Sequence, residues 1–117
     1  MNDKALSKIG YGLYVLTTNY DGKDNGCIIN SVMQVTSEPT RLAVAVNKMN
    51  YTHDLILDSC VLNLSVLTVD APFEVYEHFG YQSGKEVNKF AECTEEHRTT
   101  NNVLYVPKYA NAYFACR

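Results

Sequence analysis

The sequence predicts a mainly β domain, a barrel or a sandwich, with two or three short helices. Three observations support this fold class. The β-rich runs are short, and turn signals built on glycine, asparagine, aspartate and proline break them. Only a few small helical segments lie between these runs. The chain of 117 residues is 46% hydrophobic and 20% charged, which is typical of one globular domain with a packed core.

The predicted elements follow from local periodicity and from the residues that bound them. Apolar residues on one face predict a helix at residues 3–9, which Gly10 can end. Pro72 favours the start of a helix at residues 73–79, and two further helical segments are predicted at residues 51–59 and 85–90. The predicted strands lie at residues 13–18, 27–36, 42–46, 61–67, 103–106 and 110–116.

Turn signals separate the first strands. Residues 20–26 contain the dipeptides Asp21-Gly22 and Asn25-Gly26, both of which favour positive φ, so the whole segment is predicted to be a turn. Pro39 ends the next strand. The strand at residues 42–46 is nearly all apolar, so we expect it to be buried on both faces.

Charge and apolar length argue against several functions. The net charge is -3 at pH 7, and no basic cluster of the kind that binds nucleic acid is visible. No apolar run approaches the roughly 20 residues that cross a bilayer. Residues 1–4 lead into a mixed polar segment rather than the apolar core of a signal peptide, so we expect no membrane association and a cytoplasmic location.

The cysteines and histidines show no metal or catalytic motif. The cysteines are Cys27, Cys60, Cys93 and Cys116, and the histidines are His53, His78 and His97. No C-x-x-C pair and no H-E-x-x-H motif is present, so no metal site is predicted and the cysteines are expected to be free thiols. No sequence-local base accompanies Cys27 or Cys116, so no catalytic residue is assigned.

Residues 47–53, with the sequence NKMNYTH, form a candidate anion site at the start of a helix. The first turn of a helix offers unpaired N–H groups and a positive dipole end, which attract a phosphate. Asn50 or Thr52 can cap this helix, Lys48 adds a positive charge, and Asn47 adds a neutral donor. The alternative is that Asn50 is an ordinary cap and Lys48 a solvated lysine.

Residues 30–39, with the sequence NSVMQVTSEP, form a second candidate site at the end of a strand. A flat heterocycle needs apolar contact on its face and backbone polar groups at its edge. Val32, Met33 and Gln34 can offer both. The alternative is a plain strand in which Met33 fills the core.

Taken in this order and at this separation, the two segments resemble the flavin reductase-like family of FMN-binding split barrels. The likeness extends upstream through KALSKIGYGLYV at residues 4–15 and the Asn25-Gly26 dipeptide, and downstream through FGYQSGKEVNKF at residues 79–90. The chain is similar in particular to the branch of this family that anaerobes attach to a rubredoxin. The resemblance covers most of the chain.

The resemblance implies a homodimeric Greek-key split barrel that binds FMN near the dimer interface. It places five consecutive residues along the isoalloxazine ring and its polar edge, namely Asn30, Ser31, Val32, Met33 and Gln34. It places Thr36 near the ribityl chain. The residues implied to hold the phosphate are Asn47, Lys48, Asn50 and Thr52. A further segment, with Phe79, Gly80, Lys89 and Phe90, would approach the cofactor or the partner subunit.

The implied activity is an FMN-dependent oxidoreductase. NADH or NADPH would deliver hydride to the flavin, which would pass electrons to a protein or small-molecule acceptor, with a rubredoxin-like protein as a redox partner. Two alternatives stay open. The first is a flavin-binding electron carrier that takes electrons from a partner protein without nicotinamide, and the second is an inactive barrel fragment.

Two departures from the family pattern bear on these expectations. Thr40 stands where many relatives have a second proline after the one that matches Pro39. Family members usually continue past the last strand of this sequence, with closing strands and, in many, a histidine-bearing segment near the nicotinamide. We therefore expect residues 1–117 to form a flavin reductase-like domain that is truncated at its C-terminal end.

Overall fold

A computed structural model describes residues 3–83, 89–90 and 95–117. Its described helices and strands are α1 (Asp3–Leu6), β1 (Tyr14–Tyr20), β2 (Lys23–Ile29), β3 (Val32–Ser37), β4 (Thr40–Val44), α2 (Tyr51–Ser59), β5 (Leu62–Leu67), α3 (Phe73–Gly80), a 3₁₀ turn (Glu95–His97) and β6 (Ala110–Cys116). The strands predicted at residues 13–18, 61–67 and 110–116 are confirmed within a residue or two as β1, β5 and β6, and the helices predicted at residues 51–59 and 73–79 are confirmed as α2 and α3. The helix predicted at residues 3–9 is shorter, because α1 ends at Leu6. The helix predicted at residues 85–90 lies mostly outside the described residues.

The main sheet is antiparallel with the strand order β2-β1-β5-β6. The β1–β2 hairpin closes through Asp21 and Gly22, whose φ values are 53° and 79°, as a tight two-residue hairpin turn requires. The prediction that residues 20–26 all form a turn is therefore wrong, because Asn25 and Gly26 lie within β2. A Cβ atom at Gly26 would lie 2.8 Å from the Leu16 carbonyl oxygen, so this glycine permits a close approach between strands.

The second sheet is the hairpin of β3 and β4, paired from Val32 opposite Val44 to Ser37 opposite Thr40. The single strand predicted at residues 27–36 is wrong, because the chain leaves the main sheet after Ile29 and enters β3 at Val32. The prediction that residues 42–46 are buried on both faces is also wrong. Only one face of this hairpin meets the core, so Leu42 and Val44 are half-buried while Ala43 is exposed.

Hydrophobic residues pack on both faces of the main sheet. Consecutive residues of a strand point to opposite faces, and Val15 and Leu16 of β1 accordingly belong to two different clusters. Val15 packs with Phe79 of α3 and with Phe90, Leu104 and Val106. Leu16 packs with Cys27, Ile29 and Leu64, and residues of the β3–β4 hairpin and of α2 cover this cluster. The sheet thus separates α3 from the hairpin.

Residues 103–106 do not form the predicted strand, and Leu104 makes only an isolated bridge to Arg98. Side chains of the main sheet bind these carbonyl groups in place of a neighbouring strand. The amide of the fully buried Asn63 donates to the Val103 oxygen at 3.0 Å, and the Thr17 hydroxyl donates to the Leu104 oxygen. These hydrogen bonds satisfy buried backbone groups without a ladder.

None of the described helices is long and apolar enough to span a membrane.

Candidate functional site

The β3–β4 hairpin and the N-terminal segment enclose a groove of about 420 Å³, which we call the hairpin groove. It is open to solvent on one side, and both backbone and apolar side chains form its walls. The residues that line it are Ile9, Gly10, Tyr11, Asn30, Ser31, Val32, Met33, Ala43, Val44 and Ala45. This combination of apolar contact and backbone polar groups is what a flat heterocycle requires.

The segment that links β2 to β3 is fixed in place at this groove. The Ala45 N–H donates to the Ser31 carbonyl oxygen at 3.0 Å, and the Ser31 hydroxyl donates to the Asn30 side-chain oxygen at 3.0 Å. Val32 is half-buried under the groove, whereas Met33 is 62% exposed. The alternative in which Met33 fills the core is therefore wrong, because its side chain faces the groove and solvent.

Gln34 and Thr36 lie further along β3 and do not line the hairpin groove. The Gln34 amide donates to the Thr36 carbonyl oxygen at 3.2 Å, across a bulge in the pairing with β4. The Thr36 hydroxyl donates to the Pro39 carbonyl oxygen at the tip of the hairpin. The resemblance groups Gln34 and Thr36 with residues 30–33, but only residues 30–33 line the hairpin groove.

The segment between β4 and α2 turns sharply and caps the helix. The Asn47 side-chain oxygen accepts from the Met49 N–H at 2.9 Å, and the Asn50 N–H donates to the Asn47 carbonyl oxygen at 3.0 Å. Asn50 is the N-cap, because its side-chain oxygen accepts from the Thr52 N–H at 2.9 Å. Lys48 is exposed within this turn. The predicted cap at Asn50 is confirmed, and the exposure of Lys48 fits both a solvated lysine and a contact to a bound anion.

Thr52 lies beneath this turn rather than on its surface. Its side chain is fully buried, and its hydroxyl accepts a hydrogen bond from the Asn25 amide at 3.1 Å. Sequence reasoning missed Asn25, since the Asn-Gly dipeptide indicates a turn and gives no sign that the amide is buried. A ligand at the turn would therefore meet Lys48 and Asn50 before it met the Thr52 hydroxyl.

A second cavity of about 420 Å³ lies on the other side of the turn, where Met49, Asn50 and Tyr51 face residues 79–83 and Lys89. Lys89 is only 5% exposed, and its ammonium group donates to the Gly26 and Phe79 carbonyl oxygens, each at 2.8 Å. Burial lowers the pKa of Lys89, because a charged ammonium is poorly solvated there. We call this space the cap cavity.

The buried Cys27 thiol lies close to the same turn. Burial raises the pKa of Cys27, while hydrogen bonding to Thr52, the positive charge of Lys89 and hydrogen bonding to Asn50 act in the opposite direction. The thiol is 1% exposed, so it acts as a packed core group of β2. Among the described residues, no group of three or more His, Cys, Asp and Glu side chains could hold a metal ion.

Comparisons with known proteins identify the family of this chain. A family model described as a flavin reductase-like domain matches residues 6–117. A protein named high molecular weight rubredoxin, from Moorella thermoacetica, is 41% identical over 91 residues, or 78% of this chain and 40% of the relative. A ferric-chelate reductase (NAD(P)H) from Archaeoglobus fulgidus is 40% identical over 90 residues, or 77% of this chain and 53% of the relative. The chain thus spans about half, or less, of the length of these relatives.

The fold also has a match among solved structures. The FMN-binding domain of a flavin reductase-like enzyme from Shewanella baltica superposes with a TM-score of 0.77. The sequences are 23% identical, and the match covers 91% of this chain and 56% of the other. At that level of identity the match concerns the fold alone, and it confirms the predicted class, a mainly β split barrel with short helices.

Proposed function

Because the chain belongs to the flavin reductase-like family, we propose that it is a cytoplasmic FMN-dependent oxidoreductase that uses NADH or NADPH. Its electrons would go to a protein or a small-molecule acceptor. Bound FMN would supply the hydride and electron transfer, while the protein binds and orients it. A relative named as an NAD(P)H-dependent reductase supports the donor, and the FMN-binding solved structure supports the cofactor.

The observation that carries this proposal is the continuity between the hairpin groove and the capped turn. Ala45 lines the groove, and only two residues later Asn47 begins the turn at α2. A ligand with a flat ring at one end and a phosphate at the other can therefore contact both. The ring would lie against Asn30, Ser31, Val32 and Met33, and the phosphate would lie near Asn47, Lys48 and Asn50.

The donor set at the turn fits a phosphate. Lys48 supplies a full positive charge, and the amide nitrogens of Asn47 and Asn50 are neutral donors. The oxygens of these two amides accept from the Met49 and Thr52 N–H groups, and the Asn50 side chain also hydrogen-bonds to the buried Cys27 thiol. Thr52 would act indirectly, by holding the first turn of α2 against Asn25. Gln34 and Thr36 remain contacts proposed from the sequence alone, since the groove does not include them.

We further propose a homodimer, with the hairpin groove close to the subunit interface. Large apolar side chains beside the groove are exposed in the single chain, namely Ile9 at 63%, Tyr11 at 65% and Met33 at 62%. A contiguous exposed apolar patch favours contact with another protein surface. Sedimentation of the FMN-loaded protein is expected to give twice the mass of the chain, and a monomer would contradict this arrangement.

A flavin-binding electron carrier is the second candidate. The relative named as a rubredoxin favours it, because that name indicates electron transfer, and it also motivates a rubredoxin-like partner. A carrier would be reduced by a reduced partner protein and would not respond to NADH. An oxidoreductase would lose its flavin colour on anaerobic addition of NADH or NADPH.

The first test is an absorbance spectrum of the protein after incubation with FMN and gel filtration. Retained flavin bands are expected, and riboflavin, which lacks the phosphate, should be retained less. Equal retention of the two flavins would contradict the phosphate site, and loss of both would contradict the cofactor. Anaerobic titration of the FMN-loaded protein with each nicotinamide then separates the oxidoreductase from the carrier.

A further inference from the structure

A cavity of about 560 Å³ lies on the α3 face of the main sheet, remote from the hairpin groove. We call it the α3 cavity. Its apolar wall is formed by Val75, Phe79 and Val106, which belong to the cluster on that face or pack against it. The β3–β4 hairpin covers the opposite face of the sheet, so the proposed flavin site does not account for this space. Its volume is in the range of small-molecule sites, which is roughly 300–1,000 Å³.

Basic side chains outnumber acidic ones among the described residues that line the α3 cavity. The basic ones are Lys89, Lys108, His78 and His97, and the acidic one is Glu74. The Lys89 ammonium is committed to two backbone carbonyl oxygens. Lys108 is exposed, and its Nζ lies 5.3 Å from the centroid of the Tyr109 ring. A ligand entering from solvent would therefore meet the charge of Lys108 first.

His78 is oriented by its contact with the backbone of Lys89. Its Nε2 lies at hydrogen-bond distance from the Lys89 carbonyl oxygen, and a carbonyl can only accept, so Nε2 carries the hydrogen. The imidazole thus contributes no negative charge to the cavity.

Tyr109, which also lines the cavity, has an unusual backbone conformation. Its φ is 63°, in the left-handed region that bulky residues rarely adopt. The Thr68 N–H holds it there by donating to the Tyr109 carbonyl oxygen at 2.8 Å. Strained residues of this kind cluster at ligand sites, where the surrounding structure maintains them.

We propose that the α3 cavity binds a small organic anion with a flat apolar body, whose carboxylate pairs with Lys108 and whose ring packs on Tyr109, Val75 and Val106. The apolar wall accounts for the body of the ligand, and the excess of basic groups accounts for its charge. The main sheet separates the α3 cavity from the hairpin groove, whereas Phe79 and Lys89 line both the α3 cavity and the cap cavity, so the test is made with and without FMN.

Nuclear magnetic resonance titration of the isotopically labelled chain tests this assignment, with 2-naphthoate as the probe and 2-naphthamide as its uncharged counterpart. Measurements are made with and without saturating FMN, so that binding in the hairpin groove can be recognised. The expected shifts occur at Val75, Val106 and Tyr109 in both conditions. The acid is expected to bind roughly two- to fivefold more tightly than the amide, as an exposed ion pair allows.

Three variants decide the outcome. K108Q should remove the preference for the acid. K8Q removes another exposed lysine, two residues after α1, and should leave that preference unchanged. Y109N keeps a residue that tolerates positive φ, so the fold should persist while both probes bind more weakly. The proposal is overturned by equal binding of acid and amide to the unmodified chain, by full binding to Y109N, or by shifts confined to β3 and β4.

Discussion

The side-chain amide of Asn25 donates to the hydroxyl of Thr52 at 3.1 Å and so joins β2 to the first turn of α2. Both side chains are almost completely buried, Asn25 at 1% and Thr52 at 0% exposure. Asn50 caps the same turn through the Thr52 N–H. The turn that holds Lys48 and Asn50 is therefore supported by a buried hydrogen bond between two polar side chains.

Replacing Thr52 with valine is expected to destabilise the fold. Valine has almost the same shape, but it cannot accept from the Asn25 amide, and an unpaired buried donor costs about 1–3 kcal/mol. Urea unfolding measures the change in the free energy of unfolding. Thr52→Ser is the matched control, because it keeps the hydroxyl and loses only a methyl group, at about 0.8 kcal/mol. A valine variant as stable as the serine variant would contradict the role of this hydrogen bond.

The local sequence predicts the N-cap at Asn50 but not the buried hydrogen bond between Asn25 and Thr52. Asn50 follows a strand and precedes an apolar helical run, and this pattern alone identifies an N-cap. The burial of Thr52 depends on a partner 27 residues away, and that of Lys89 on Gly26, 63 residues away. Neither contact leaves a trace in the neighbouring sequence, so Thr52 was expected to meet the phosphate and Lys89 to approach the cofactor or the partner subunit, and the burial of both was missed.

The errors in the predicted strands have the same origin. Two dipeptides that favour turns occur within six residues, and the first of them already closes the β1–β2 hairpin, which leaves Asn25 and Gly26 within β2. Residues 103–106 are apolar enough for a strand. They do not pair with a neighbouring strand. The side chains of Asn63 and Thr17 instead donate hydrogen bonds to the carbonyl oxygens of Val103 and Leu104. Long-range packing thus overrides local β preference.

Replacing Cys60 with glycine is expected to stabilise the protein. Cys60 ends α2 with φ 60° and ψ 20°, and its N–H donates to the Ile56 carbonyl oxygen at 2.8 Å. Glycine adopts this left-handed conformation without strain, so we expect a gain of about 0.5–1 kcal/mol in the free energy of unfolding. Leu57→Gly is the control within the same helix, where Leu57 is 67% exposed and glycine should destabilise. A loss of stability in Cys60→Gly would show that the thiol contributes more than the strain costs.

The buried thiol of Cys27 is expected to make stability depend on alkaline pH. Burial raises its pKa, so above about pH 8.5 the thiol ionises in the unfolded chain while it stays protonated in the folded one. The unfolded state then binds fewer protons, and the stability that this thiol contributes falls as the pH rises towards the folded pKa. Chemical denaturation at pH 7.5 and at pH 10 measures the decline.

Two variants separate this effect from other alkaline titrations. Cys27→Ala should lose less stability between the two pH values than the unmodified protein, even if it is less stable at both. Ile29→Val removes a methylene group from the same cluster and leaves the thiol in place, so its decline should match that of the unmodified protein. An identical decline in Cys27→Ala would mean that Cys27 does not titrate differently in the two states.

Replacing Lys48 with alanine is expected to weaken FMN binding and to leave riboflavin binding almost unchanged. Lys48 is exposed in the turn before α2, so its removal should cost no packing, and a charge-assisted contact with phosphate contributes about 1–2 kcal/mol. That corresponds to a dissociation constant raised roughly five- to thirtyfold. Fluorescence titration of each flavin measures it, with Lys8→Ala as a control for the loss of one positive charge elsewhere. If FMN bound Lys48→Ala and the unmodified protein equally well, Lys48 would face solvent and the phosphate would have to be sought in the cap cavity near Asn50 and Lys89.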